Sequence, residues 1–401
     1  MILGTRTRYV HAVVTILAGL ALSGCFSAVS LNKVVVAYDE AVTDALSKQL
    51  LINIARAQHR QPVHFTGVSN VAATFDFRVS GGITPIFTGE VGTTLAPLAS
   101  GSVAENPTIS IVPIEGEEFT KRLLTPIEET KLTLLFRQGV DIDLLLRLMA
   151  AELRVKEKGH EVAYRNLPSD RAGYEIFRRV VLHLSAIQDR NHLYAEPMVY
   201  EQTWTIPMES VRADGFKNLE EEDVESYDRE KKTYTVKKKI MGRILITNYD
   251  PDSLPMEERA KLSQEAQDWP PNDLTFDIRP GYPGGEWPIK GDFRLRSFRA
   301  ILTAIGLSLA DEAEYDVKPD SRTSSVLNNE NPVHTMEIVT SEVPPLNADR
   351  SIYTYGKFYS VRNDGPQARW NRMAFQLLYL VYQMTITDMP RQGAPFITIA
   401  K

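Results

Sequence analysis

From Val71 to Val103 the chain alternates with a period of two, a pattern that suits an extended ribbon and no helix. The odd positions are apolar or small: Val71, Ala73, Phe75, Phe77, Val79, Gly81, Ile83, Pro85, Phe87, Gly89 and Val91, continued by Thr93, Leu95, Pro97, Ala99, Gly101 and Val103. Between them stand Thr74, Asp76, Arg78, Ser80, Thr84, Thr88, Glu90, Thr94, Ser100 and Ser102. Only Asp76, Arg78, Glu90 and Glu105 carry charge between Phe65 and Ile114. One face is therefore apolar and the other small and polar. The plainer reading is a hairpin or meander with one side on the core of its own chain. The sharper one is a membrane-inserting hairpin over about 71–103, with strands near 71–85 and 87–101 and a turn near 85–92. Phe75, Phe77, Val79, Ile83, Phe87 and Val91 would then face lipid. One hairpin cannot close a barrel, so its unpaired edges would demand a ring of subunits, each contributing a hairpin. Pro85 and Pro97 weigh against that reading, because proline withholds a ladder donor.

The first 24 residues have the three parts of a secretory signal. Arg6 and Arg8 make a positive flank, residues 12–22 are apolar and uncharged, and Ser23 and Gly24 are small. That apolar run is roughly 11 residues, against about 20 needed to cross a ~30 Å hydrocarbon core. The junction Leu22-Ser23-Gly24-Cys25 resembles the lipobox of bacterial lipoproteins. The resemblance implies cleavage after Gly24 and acylation of Cys25, which becomes the mature N-terminus carrying covalent lipid such as palmitate. Phe26 stands where an inner-membrane retention signal places aspartate, and that sorting rule favours the outer membrane. Cys25 is also the only cysteine, so no disulfide forms within the chain, and lipidation removes an otherwise unpaired thiol. Each buried CH₂ of an acyl chain contributes about 0.8 kcal/mol to anchoring.

Loss of Arg6 and Arg8 takes the formal net charge from −6 to −8. That balance argues against nucleic acid as the main partner, since phosphate binding needs a basic surface. With 43% hydrophobic and 24% charged residues the chain reads as globular, and its length implies two or three domains.

The expected fold class is α+β: an N-terminal helix, the β-ribbon, a helical layer, then a mixed α/β C-terminal half. Residues 34–57 carry an apolar stripe (Val34, Tyr38, Ala41, Val42, Leu46, Leu50, Ile54) opposite Asp39, Glu40, Asp44 and Lys48. A separate strand is expected at 108–114. Helices are expected at 115–124, 126–137, 141–156 and 169–188, packed as a layer on the preceding sheet. Strands at 198–210 and 233–248 flank a charged hairpin at 220–239, acidic first and basic later. Beyond turn-dense 269–288, which frames a strand at 274–278, come a helix at 296–311 and strands at 335–343 and 351–361. A helix at 368–385 and a strand at 396–399 finish the chain. The proposed domains are 25–33 as tether, 34–195, and 196–401.

No catalytic constellation emerges. The histidines at 11, 59, 64, 160, 183, 192 and 334 are scattered, and His160-Glu161 lacks the second histidine of a zinc helix. His59 and His64 have a weak metal spacing; His183 sits among apolar helix residues and reads as a satisfied core histidine. Cysteine-based zinc or nucleophilic sites are excluded by a single lipidated cysteine. Residues 89–94 have glycines and threonines without the lysine of a P-loop, and Gly306-Leu-Ser-Leu-Ala stops one glycine short of a nucleophile elbow. The acid pairs Asp141/Asp143 and Glu117/Glu118 read as helix starts. Trp204, Trp269, Trp287 and Trp370 either stack on glycans or anchor packing.

Two stretches, Gln49-Leu-Leu-Ile-Asn-Ile-Ala-Arg-Ala with Pro62-Val-His-Phe-Thr-Gly-Val-Ser, and Arg294-Leu-Arg-Ser-Phe-Arg-Ala-Ile-Leu, resemble segments of uncharacterised proteobacterial lipoproteins. The ribbon resembles, in patterning, envelope secretion channels with lipidated subunits around a pore. These observations imply a lipid-anchored outer-membrane protein, mainly periplasmic, non-enzymatic, without cofactor or metal beyond the lipid on Cys25. Its expected partners are the membrane and other envelope proteins or copies of itself. It would act as a scaffold or as a subunit of an envelope assembly. The alternatives are a ring-forming pore subunit and an enzyme acting on cell-wall glycans.

Overall fold

A computed structural model of the chain describes residues 35–87, 93–157, 160–208, 224–310, 312–325, 332–346 and 348–386. The signal segment with Gly24 and Cys25, Val91, and the strand expected at 396–399 lie outside the described residues. The architecture is α+β and separates into two units. Residues 35–50 and 64–116 belong to one, residues 51–63 and 117–386 to the other.

Helix α1 (35–58) is shared by both. Its apolar stripe is realised only in its second half: Val35 and Val36 are exposed, and continuous burial begins near Leu50 and Leu51. The rest of the first unit is one hairpin, β1 (Phe65–Phe87) antiparallel to β2 (Thr93–Ile114). These strands form a two-stranded sheet that no other strand joins among the described residues. The strand expected at 108–114 is the root of β2, because the alternation runs on without a break. At the root the Gln49 amide clamps one residue twice: its Nε2 donates to Thr66 Oγ1 (2.8 Å) and its Oε1 accepts the Thr66 N–H (2.9 Å). One register shift interrupts the ladder, between Val68 and Asn70.

The second unit is built on a seven-stranded sheet. Short helices α2 (Glu117–Leu124), α3 (Glu129–Arg137) and α4 (Ile142–Met149) lead into it. The helix expected over 141–156 stops at Met149, where Ala150 turns extended (φ −93°, ψ 133°) and β3 (Ala150–Glu157) begins. The residues 150–156 satisfy period two as well as a helical stripe. Pairing decides, because β3 lies between β4 (His160–Arg165) and β9 (Ile289–Leu295). The order is β4-β3-β9-β8-β7-β5, with β8 (Asp273–Ile278), β7 (Thr233–Thr247) and β5 (Tyr194–Pro207), and β6 (Val224–Asp228) on the far half of β7. The sheet thus takes strands from both sides of residue 195.

Among the described strands of this sheet only β7 and β8 run parallel. A parallel pair needs a crossover, and α6 (Met256–Gln267) supplies it. Helix α5 (Arg171–Gln188), capped by Asp170, packs on the apolar face: Phe177 meets Phe293 of β9 edge-on at 6.0 Å, and Phe293 meets Phe276 of β8 at 5.0 Å. A smaller sheet has the order β10-β12-β11, from Ile338–Ser341, Lys357–Val361 and Ser351–Thr354. The single strand expected at 351–361 is broken by Tyr355 (φ 50°) and Gly356 (φ 75°). Two successive positive φ values make a tight hairpin turn that matches strand twist. Helices α7 (Phe298–Ser308) and α8 (Ala368–Ile386) complete the unit, joined by Phe298 against Tyr382 at 5.5 Å.

Candidate functional site

The hairpin holds the described positions singled out from the sequence: Phe75, Phe77, Val79, Ile83 and Phe87 all lie in β1. Its register joins odd positions to odd positions. Phe75 opposes Glu105, Phe77 opposes Val103, Val79 opposes Gly101, Ile83 opposes Pro97 and Phe87 opposes Thr93. Directly opposed residues share a face of the ribbon, so the apolar positions of one strand lie opposite those of the other. Asp76 and Arg78 oppose Ala104 and Ser102, in the polar set. The turn expected near 85–92 falls between Phe87 and Thr93.

Pro85, Pro97, Pro107 and Pro113 all occupy paired positions, and all four are odd. In an antiparallel pair the backbone groups of successive residues point alternately at the partner and away from it. Proline fits only where its missing N–H would have pointed away. The odd positions above the register shift therefore aim their amides at the outer edges of the ribbon. Pro97 and Pro107 bracket a proline-free block of β2, Leu98 to Asn106, which faces Gly82 to Thr74 of β1. Its nine residues at ~3.4 Å each span about 30 Å.

The second unit concentrates buried charge. Arg178 Nη1 pairs with Asp143 Oδ1, and Arg147 Nη1 lies 3.8 Å from Asp143 Oδ2. Arg147 also donates to the carbonyls of Pro332 and Val333 (2.7 Å each) and to Thr335 Oγ1 (3.0 Å), and meets Glu314 Oε1 at 3.3 Å. Burial alone would lower the Arg147 pKa; Glu314 and Asp143 outweigh it and hold the guanidinium above its ordinary value. On the sheet face opposite Phe293, Arg154 Nη2 joins Asp273 and Asp292, the latter at 2.7 Å. Burial pushes Asp292 up to about 7 despite Arg154 beside it. Both carboxylates are almost wholly covered, so this pair does not form an open acid–base cleft.

His183, Asp141 and three of the four tryptophans resolve into packing. His183 Nε2 donates to Gly284 O (2.9 Å) while Nδ1 accepts from Thr323 Oγ1 (3.2 Å), and burial holds its pKa below the ordinary value. Asp141 caps α4 by accepting from Asp143 N at 2.7 Å. Trp269 lies under Arg154 and Lys156, Trp287 under Arg322, and Trp370 donates to Thr335 O at 3.1 Å; Trp204 remains exposed on β5. Among the described residues no His, Cys, Asp or Glu cluster has metal-binding geometry, and no helix is long and apolar enough to cross a membrane. Sequence reasoning missed the arginine clusters; their one signal was arginine inside apolar helix runs, as in Leu146-Arg147-Leu148. Comparison with protein-family models, with curated proteins and with solved structures finds no match to this chain.

Proposed function

We propose that this protein is a lipid-anchored, non-enzymatic outer-membrane subunit of a cell-envelope assembly, held by acylated Cys25, in which the 65–114 hairpins of several copies close into a β-barrel pore. The observation that carries the reading is a long alternating hairpin whose strands pair only with each other among the described residues. A lone two-stranded sheet is at best marginal in water, and its open edges are templates for further strands. Neighbouring copies would satisfy those edges, as a bilayer requires. The sequence-level objection from proline also narrows, because the block between Pro97 and Pro107 matches the ~9–11 residues of a membrane-crossing strand. Within that block Phe75, Phe77 and Val79 belong to the apolar set and Asp76 and Arg78 to the polar one, the division between lipid and lumen that a pore wall needs.

The test is the size of the lipidated protein extracted in detergent, with planar-bilayer conductance on the same sample. A large ring that conducts is expected. Phe77→Asp should lower conductance at least tenfold while the far-UV circular dichroism of the rest persists. A monomer or small oligomer that never conducts would overturn the pore and leave a periplasmic scaffold, whose partners cross-linking in cells would identify.

A further inference from the structure

The second unit contains a cavity of about 480 Å³, within the ~300–1,000 Å³ of small-molecule sites. Leu124, Leu148, Leu167, Ala300, Ala304 and Met336 give it apolar walls. Its charged lining is Arg147, Arg296 and Arg299 against Glu312 and Glu314. Arg147 is matched by Glu314 and by Asp143 behind it. Arg296 is not matched: among the described residues no carboxylate lies within ion-pair distance of it. Instead it is fixed by backbone carbonyls, Nη1 donating to Arg147 O (3.0 Å) and Leu148 O (3.1 Å) and Nη2 to Asn166 O (2.9 Å). Three of its five N–H bonds are thus committed, which leaves Nε–H and one Nη2–H without an acceptor among the described residues. Burial lowers its pKa to about 10, a loss that the nearby Glu314 carboxylate, already paired with Arg147, only partly offsets. A guanidinium so placed is pre-positioned and short of one negative charge.

We propose that this cavity binds a small amphipathic monoanion, an alkyl carboxylate whose chain lies on the Leu124–Leu148–Ala304 wall and whose carboxylate meets the free N–H groups of Arg296. A carboxylate takes two parallel N–H bonds from one guanidinium, and such charge-assisted pairs are about twice as strong as neutral ones. One anion restores neutrality at Arg296. A dianion such as a phosphate monoester would bring a second charge toward Glu312 and Glu314 on the same lining. The site uses no hairpin residue, so it stands or falls separately from the pore.

The test uses the full chain in lipid nanodiscs and dodecanoate labelled with ¹³C at the carboxyl. A carboxylate held by a guanidinium titrates below the free acid, whereas one in the bilayer titrates above it. The expected result is one low-titrating resonance per chain, saturable, and displaced at least tenfold less effectively by uncharged dodecanol than by unlabelled dodecanoate. Ala304→Phe, which fills the cavity from α7, should weaken binding at least tenfold without changing the melting temperature by more than a few degrees. Appearance of the bilayer resonance alone, or equal competition by dodecanol, overturns the proposal, and both readouts need only the wild-type chain. Unchanged binding by a folded Ala304→Phe protein would overturn it as well.

Discussion

Arg147, Arg243 and Arg296 put many of their donors on main-chain carbonyls. Arg296 takes the last carbonyls of α4, and Arg243 takes Ala266 O at the end of α6 together with those of Trp269, Pro270 and Asp273. Helix ends leave such acceptors without intrahelical partners, and burying them unpaired would cost about 1–3 kcal/mol each. The links from Arg147 and Arg296 join residues over a hundred positions apart, as from Arg296 to Asn166, and no local pattern announces them. His183 was legible because its neighbours are apolar at helical spacing; Asp292 was not, since a charge in an alternating strand reads as exposed. Asp292 carries a pH dependence whose sign follows from its shift. Its ordinary pKa is 3.8 and its value in the fold about 7, so folding favours the protonated form. Its contribution to stability is complete below about pH 4 and lost as pH rises through 7. The Asp292 contribution should lower the wild-type melting temperature by roughly 4–8 °C from pH 5 to pH 8 relative to Asp292→Asn, equivalent to about 2 kcal/mol. Parallel pH profiles for the two proteins would remove this role.

The periodic elements were readable from sequence alone: α5, α7 and α8 carry apolar stripes, the ribbon a long alternation, and β5 and β7 shorter alternating stretches. The elements missed have physical reasons. Helix α6 buries only Arg259, Leu262, Ser263 and Ala266, too narrow a stripe to stand out from its charges. Its presence follows instead from topology, since β7 and β8 are parallel and something must carry the chain back. Strand β9 hides Asp292 on one face and Phe293 on the other, which defeats a search for alternating polarity. Close approach between elements is equally silent in sequence until a glycine betrays it. A Cβ at Gly306 of α7 would stand 2.6 Å from Gln58 N and 2.8 Å from the Ala57 carbonyl carbon, at the end of α1. Gly306→Ala should therefore cost about 1–3 kcal/mol in thermal unfolding; a neutral result would mean that the end of α1 yields freely.

For the whole molecule, the proposed function makes lipid anchor and hairpin act together. In that proposal the anchor would hold copies in one plane, where a second contact becomes an intramolecular event at high effective concentration. Cys25→Ser should abolish palmitate incorporation and move the protein out of the outer-membrane fraction. Unaltered fractionation of that variant would remove the anchor from the account. The hairpin itself contains a further instruction. Below the register shift Phe65 opposes Ile114, both buried, on the face that β2 continues through Ser110, Asn106 and Ser102. Above the shift the apolar positions of β1 oppose Ile109, Val103 and Gly101, on the other face. The extra residue, Ser69, thus inverts the parity of β1: Phe65 and Gly67 share a face with the even positions of β2, and the odd positions from Val71 onward share a face with its odd ones. Deleting Ser69 should turn over the lower part of β1 relative to the blade, and cysteine labelling at positions 65 and 66 in that deletion should report exchanged accessibility.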